Sequence, residues 1–182
     1  MNNRRLLLCA FVAVLAVSVT ASGLAAGSSD APPKRAVAKA PRRINVNPVV
    51  TRRLRAATWR WQAVMGVRRS RLTAALDTRV ALRFWARRAS VVRRLAAHPP
   101  HKRGWLCIHR FEGGWSDSGD PYWGGLQMDR GFMSTYAPRI LLRRGWADRW
   151  SSLEQMWVAE RAHRSGRGYG PWPSTARLCG LL

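Results

Sequence analysis

The chain alternates between long apolar patterns of helical period and short, turn-rich interruptions. Leu54, Trp59, Trp61, Val64 and Met65, then Leu72, Leu76, Val80, Phe84, Val91, Val92 and Leu95, recur at helical intervals among many arginines. They predict two basic amphipathic helices, broken near Gly66 and stopped by Pro99-Pro100. A further pattern, Trp105, Leu106, Ile108 and Phe111, is halted by Gly113-Gly114. Asp120-Pro121 signals a turn before Tyr122 to Met128, which reads as a glycine-rich hairpin. Phe132 to Leu142 reads as helical, with Pro138 at its start or in a break, and Ser151 with Glu154 forms a capping box opening a helix from Leu153 to Arg164. Together these elements define a small α+β domain over 104–182, mostly helical with a short β-hairpin, preceded by basic amphipathic helices over 51–103.

The first fifty residues follow other rules. Arg4 and Arg5 precede an apolar run from Leu6 to Val19, and small residues follow from Ala21 to Ala26. That is the pattern of a secretory signal peptide over 1–26, which makes the protein secreted or cell wall-associated. The uncharged stretch from Leu6 to Ala26 is also long enough for the alternative, an uncleaved N-terminal membrane anchor. Residues 27–50 are rich in Pro, Ala and basic side chains and have no apolar period, so they read as a disordered linker.

Glu112 carries the candidate chemistry. A carboxylate at the C-terminal end of a helix faces the negative end of the helix dipole, and Phe111 and Trp115 are its apolar neighbours in sequence. Dipole and apolar burial both disfavour the ionised form, the expectation for a general acid working near neutral pH. A merely solvated glutamate is the competing reading. Tyr122, Trp123 and Gln127 suit a sugar groove, with flat rings for pyranose faces and an amide for hydroxyl and N-acetyl groups. Gly124 and Gly125 let a polymer pass close to the backbone. Trp172, between Pro171 and Pro173, either walls that groove or packs in the core.

Glu112 with its glycines, YWGGLQM, EQMWVAER, and GPWP followed by a late cysteine occur in that order. This set resembles the lysozyme-like domain of the resuscitation-promoting factors and their lytic transglycosylase relatives, over roughly Trp105 to Leu182. The resemblance implies a lysozyme-like fold, no cofactor, and cleavage of the β-1,4 bond between N-acetylmuramic acid and N-acetylglucosamine in peptidoglycan. Glu112 would protonate the glycosidic oxygen. Set against the hairpin of animal lysozymes, the position of a second carboxylate falls on Tyr122, leaving Asp120, Asp117 and Asp129 as nearby candidates. Without a second carboxylate, Glu112 would serve first as acid and then as base on the muramyl 6-hydroxyl. The family's cysteine directly precedes the glutamate and pairs with one near the end, whereas Cys107 here lies more than a helical turn upstream.

Charge and cysteines refine the picture. The net charge is +23, of which residues 51–103 carry +14 and residues 104–182 only +3. The basic segment therefore implies anionic wall polymers or a membrane surface as partner, with a helical pair packed on the following domain and its arginines solvated as the competing reading; no recognition motif points to nucleic acid. A non-catalytic cationic protein whose lysozyme-like domain only docks on glycan is the alternative function. Loss of the signal segment removes Cys9 and leaves Cys107 and Cys179, a pair suited to a disulfide outside the cytoplasm, with two buried thiols as the alternative. No third ligand stands at a metal-binding spacing, and His98, His101 and His163 have no diagnostic partner. Glu160 precedes Arg164 by one helical turn and reads as a structural residue before a second catalytic one.

Overall fold

A computed structural model describes residues 46–182, which lie in one compact unit. The signal segment and most of the linker lie outside the described residues. Helix α1, Pro48–Met65, begins inside the stretch read as linker. Asn47 explains the early start: its side chain accepts a hydrogen bond from the N–H of Val49 at 2.9 Å, and proline suits the first helical position. Gly66, at φ 68°, ends α1 as expected, because a left-handed residue lets the following N–H groups turn back onto the last carbonyls.

Helix α2 runs from Arg79 to Ala96 and stops before Pro99-Pro100. The helical interval expected at Leu72 and Leu76 is not helix but an irregular connection. Gln62 of α1 holds it by exchanging two hydrogen bonds with Ser70, while the Trp59 indole N–H donates to the Ser70 carbonyl. Thr78 then caps α2 through the N–H of Ala81.

Helix α3, Lys102–Glu112, leads into a two-stranded antiparallel sheet of β1, Tyr122–Trp123, and β2, Met128–Asp129. Tyr122 faces Asp129 and Trp123 faces Met128. Helices α4, Arg130–Tyr136, and α5, Arg139–Leu142, are separated at Pro138, and a 3-10 turn follows over Ala147–Arg149. Helix α6, Ser152–Ala162, opens with the complete Ser151–Glu154 capping box. A wide turn over His163–Arg167 and the short helix α7, Pro173–Leu178, complete the chain.

The fold is thus mostly helical α+β, with α6 at its centre. Every residue of α6 from Glu154 to Glu160 is buried. Its side chains also serve the ends of the first two helices, whose last carbonyls have no partner within the helix. The Trp157 indole N–H donates to Ala96 of α2 at 2.8 Å, and the Arg161 guanidinium donates to Ala63 of α1 at 3.2 Å. Just beyond α6, Arg164 donates to the Met65 carbonyl at 2.6 Å. Glu154 accepts from both Arg60 of α1 and Arg144. Val64, Met65, Val92 and Ala96 consequently share one core with Trp105, Ile108, Leu126 and Met133.

Candidate functional site

Helix α3 presents Glu112 because its other face is fixed. Gly104, Trp105 and Ile108 are buried, and Cys107 is joined to Cys179 at the end of α7 by a disulfide. The bond places α7 beside the last turn of α3. There the Thr175 hydroxyl donates to Glu112 Oε1 at 2.7 Å, while Oε2 has no hydrogen-bond partner among the described residues. Glu112 lines an open pocket of about 290 Å³ with Tyr122, Gln127, Thr175, and Trp172 between its two prolines. Trp172 is packed in the core, where its indole N–H donates to the Leu126 carbonyl at 2.6 Å, and it also lines the pocket.

The apolar sleeve expected around Glu112 is not formed. Phe111 is 54% exposed, and Trp115 stacks on His109 with ring centres 3.9 Å apart. The helix simply ends with Phe111 on its outer side, while Trp115 turns away to cover the hairpin.

Of the hairpin residues, Tyr122 and Gln127 reach the pocket; Trp123, Gly125 and Asp120 do not line it. Trp123 is buried against Trp146, beneath the Arg130 guanidinium. The two glycines serve internal packing, contrary to the expected passage for a polymer. Gly124 adopts φ 73°, and a Cβ on Gly125 would stand 2.6 Å from His109 Nδ1 and 2.7 Å from the Trp115 ring. The Gly125 N–H donates to the buried Gln155 side chain at 2.9 Å. Gln155 in turn donates to the carbonyls of Trp115 at 2.7 Å and Ala147 at 2.8 Å, so one α6 amide holds the hairpin from behind.

Gln127 is set from its own end. Its amide N–H groups donate to Asp117 Oδ2 at 2.9 Å and to the Gly124 carbonyl at 3.0 Å. With both donors engaged, the amide oxygen is the group left to accept from a bound molecule. The absence of a side chain at Gly113 makes the arrangement fit: a Cβ there would lie 2.8 Å from Gln127 Nε2 and 3.0 Å from Asp117 Oδ2.

The carboxylates considered as second catalytic groups are occupied elsewhere. Asp120 pairs with Arg130 at 2.9 Å on the surface, and Asp129 caps α4 through the Phe132 N–H at 2.7 Å. Asp117 holds Gln127, leaving Glu112 as the one acid lining the pocket among the described residues. Glu160 is an anchor behind α3: its buried carboxylate accepts from the His101 N–H at 2.7 Å and the Trp105 indole at 2.8 Å. Arg164 reaches the Glu160 backbone carbonyl and not its carboxylate.

Two groupings had no sequence signal. Thr175 looks like an ordinary short-helix residue, and it meets Glu112 because the Cys107–Cys179 disulfide and the buried Trp172 hold α7 beside the end of α3. His101 stacks on His163 at 4.0 Å, beside Tyr169 and Glu160. Burial lowers the His163 pKa, with help from the charge of His101 and against that of Glu160, and burial raises that of the Tyr169 hydroxyl. No group of three or more His, Cys, Asp or Glu able to hold a metal ion occurs among the described residues. Comparison with family models, curated proteins and solved structures finds no match for the chain.

Proposed function

We propose that the chain is an exported, lysozyme-like enzyme that cleaves the β-1,4 bond between N-acetylmuramic acid and N-acetylglucosamine in peptidoglycan. The observation that carries this reading is the pocket in which Glu112 stands with one oxygen held by Thr175 and the other without a partner among the described residues. Tyr122, half exposed, and Trp172 line the pocket as aromatic neighbours for a sugar, and Gln127 supplies an acceptor for an acetamido N–H or a hydroxyl. Export rests on the apolar run from Leu6 to Val19, and the Cys107–Cys179 disulfide suits an oxidising compartment.

Glu112 as the one acid lining the pocket among the described residues favours a single-acid course. Glu112, protonated, gives its proton to the glycosidic oxygen as the bond to the muramyl C1 breaks. The resulting carboxylate then takes the proton of the muramyl 6-hydroxyl as that oxygen bonds to C1. The product is a 1,6-anhydro sugar, no water is consumed, and Glu112 is returned to its acid form. Thr175 keeps the carboxyl aimed through both steps.

Mass spectrometry of peptidoglycan digested by the oxidised protein tests this reading beside Glu112→Gln. Muropeptides with 1,6-anhydro ends, absent from the variant digest, are expected. Reducing ends would show hydrolysis and require a second carboxylate, with Asp117 the first to replace. Binding to the wall without soluble product from either protein would overturn the enzyme reading and leave a glycan-docking domain.

A further inference from the structure

Helix α2 carries two apolar stripes; among the described residues one is buried and the other is only half covered. Ala81, Trp85, Ala89, Val92 and Ala96 form the buried face. Val80, Phe84, Val91 and Leu95 recur at intervals of four, seven and four residues, which keeps them within a narrow arc on a different side of the helix. Val80 is 63% and Leu95 56% exposed, Phe84 and Val91 are half-buried, and among the described residues Val80, Phe84 and Val91 line a depression of about 590 Å³ with Arg83, Arg87 and Arg88. No acidic residue occurs in α2, and Arg88 lies over the Phe84 ring at 5.6 Å.

We propose that this face of α2 docks on a bilayer of anionic phospholipids, with the helix lying in the plane of the interface. The apolar stripe calls for an apolar occupant, and the arginines beside it call for negative charge; an anionic lipid surface supplies both at once. A polyanion such as a wall phosphate polymer would satisfy the arginines and leave the stripe in water. No helix among the described residues is long and apolar enough to cross a membrane, in keeping with a helix that lies flat. The neighbouring face is already committed to the core, so the helix docks as a preformed, rigid ridge.

The test uses the chain from Arg42 onward, because the compact unit has its own core and disulfide. It also omits the apolar run near the start, which would bind lipid by itself. Vesicles of phosphatidylglycerol and of phosphatidylcholine, and soluble polyphosphate, are the probes, with cosedimentation and titration as readouts. Binding is expected to phosphatidylglycerol and to persist, weakened, as salt rises. Val80→Ser with Leu95→Ser removes two exposed apolar side chains and no charge, so partitioning should fall at least tenfold with the melting temperature unchanged. If the double variant melts early, Val80→Ser alone is used, with a severalfold loss expected. Equal binding by wild type and variant, binding to polyphosphate as tight as to vesicles, or no binding to vesicles would each overturn the proposal. Glu112→Gln should bind vesicles as the wild type does, which separates failure of docking from failure of cleavage.

Discussion

Replacing Gly113 with alanine is the sharpest probe of the pocket. The Gly113 backbone is extended, at φ 168°, so alanine adopts it without strain. Its Cβ would nevertheless stand 2.8 Å from Gln127 Nε2, closer than such atoms sit, and 3.0 Å from Asp117 Oδ2, a tight contact. The atoms that must yield are the ends of two flexible side chains, so the fold gives way cheaply while the Gln127 amide is displaced by about half an ångström or more. The stability at risk is that of the Gln127 hydrogen bonds to Asp117 and Gly124, each contributing about 1 kcal/mol. A loss of no more than about 2 kcal/mol is therefore expected in a denaturant melt. If Gln127 orients the glycan, the misplacement should reduce muropeptide release by about tenfold to a hundredfold. Gly114 provides the control, because a Cβ there meets nothing within 4 Å. Gly114→Ala should melt and cleave like the wild type. Cleavage by Gly113→Ala at the wild-type rate, or equal losses from both substitutions, would refute the assignment of Gln127 as a substrate-orienting residue.

Two further expectations concern stability. The Cys107–Cys179 bond closes a 72-residue separation, so Cys107→Ala with Cys179→Ala should lose about 4 kcal/mol on the chain-entropy account, measured by denaturant melts of both forms. Because the bond also places Thr175 at Glu112, cleavage should fall further than the unfolded fraction explains. Burial pushes the Glu154 carboxyl pKa up, but hydrogen bonds from Arg144 and the Ser151 N–H and the charges of Arg60 and Arg144 outweigh it, leaving the pKa below its ordinary value. A depressed carboxylate contributes its stability above the unfolded pKa of about 4.3 and loses it as pH falls through the lower folded value. Melting temperature should thus fall in acid, and Glu154→Gln should flatten that part of the curve while lowering stability at neutral pH.

The elements legible in the sequence are those whose signals are local. Gly66 ends α1, Pro99-Pro100 lies beyond α2, Gly113 ends α3, and the Ser151–Glu154 box opens α6, each through contacts within a few residues. The connection before α2 was hidden because Leu72 and Leu76 continue the helical interval, while Ser70 is held by Gln62 and Trp59 of the preceding helix. Trp123 and Gly125 carry the residue types of a sugar groove, yet Gln155 and Trp115 draw the glycines inward. Glu160 reads as a structural residue from its place one turn before Arg164, but the donors that hold its carboxylate come from His101 and Trp105. Side chains that meet across the core leave no periodic trace.

Those same cross-core contacts link the two faces to which function is assigned. Within α6, Gln155 holds Gly125 and with it the hairpin that carries Gln127. Two residues on, Trp157 holds the last turn of α2 through Ala96, and Arg161 holds that of α1 through Ala63. The basic helices therefore do not trail ahead of the pocket on a tether; they are built on the helix that fixes it. A surface that seats α2 orients the Glu112 pocket as one body with it, so docking would select which glycan strands the pocket meets without altering the chemistry inside it.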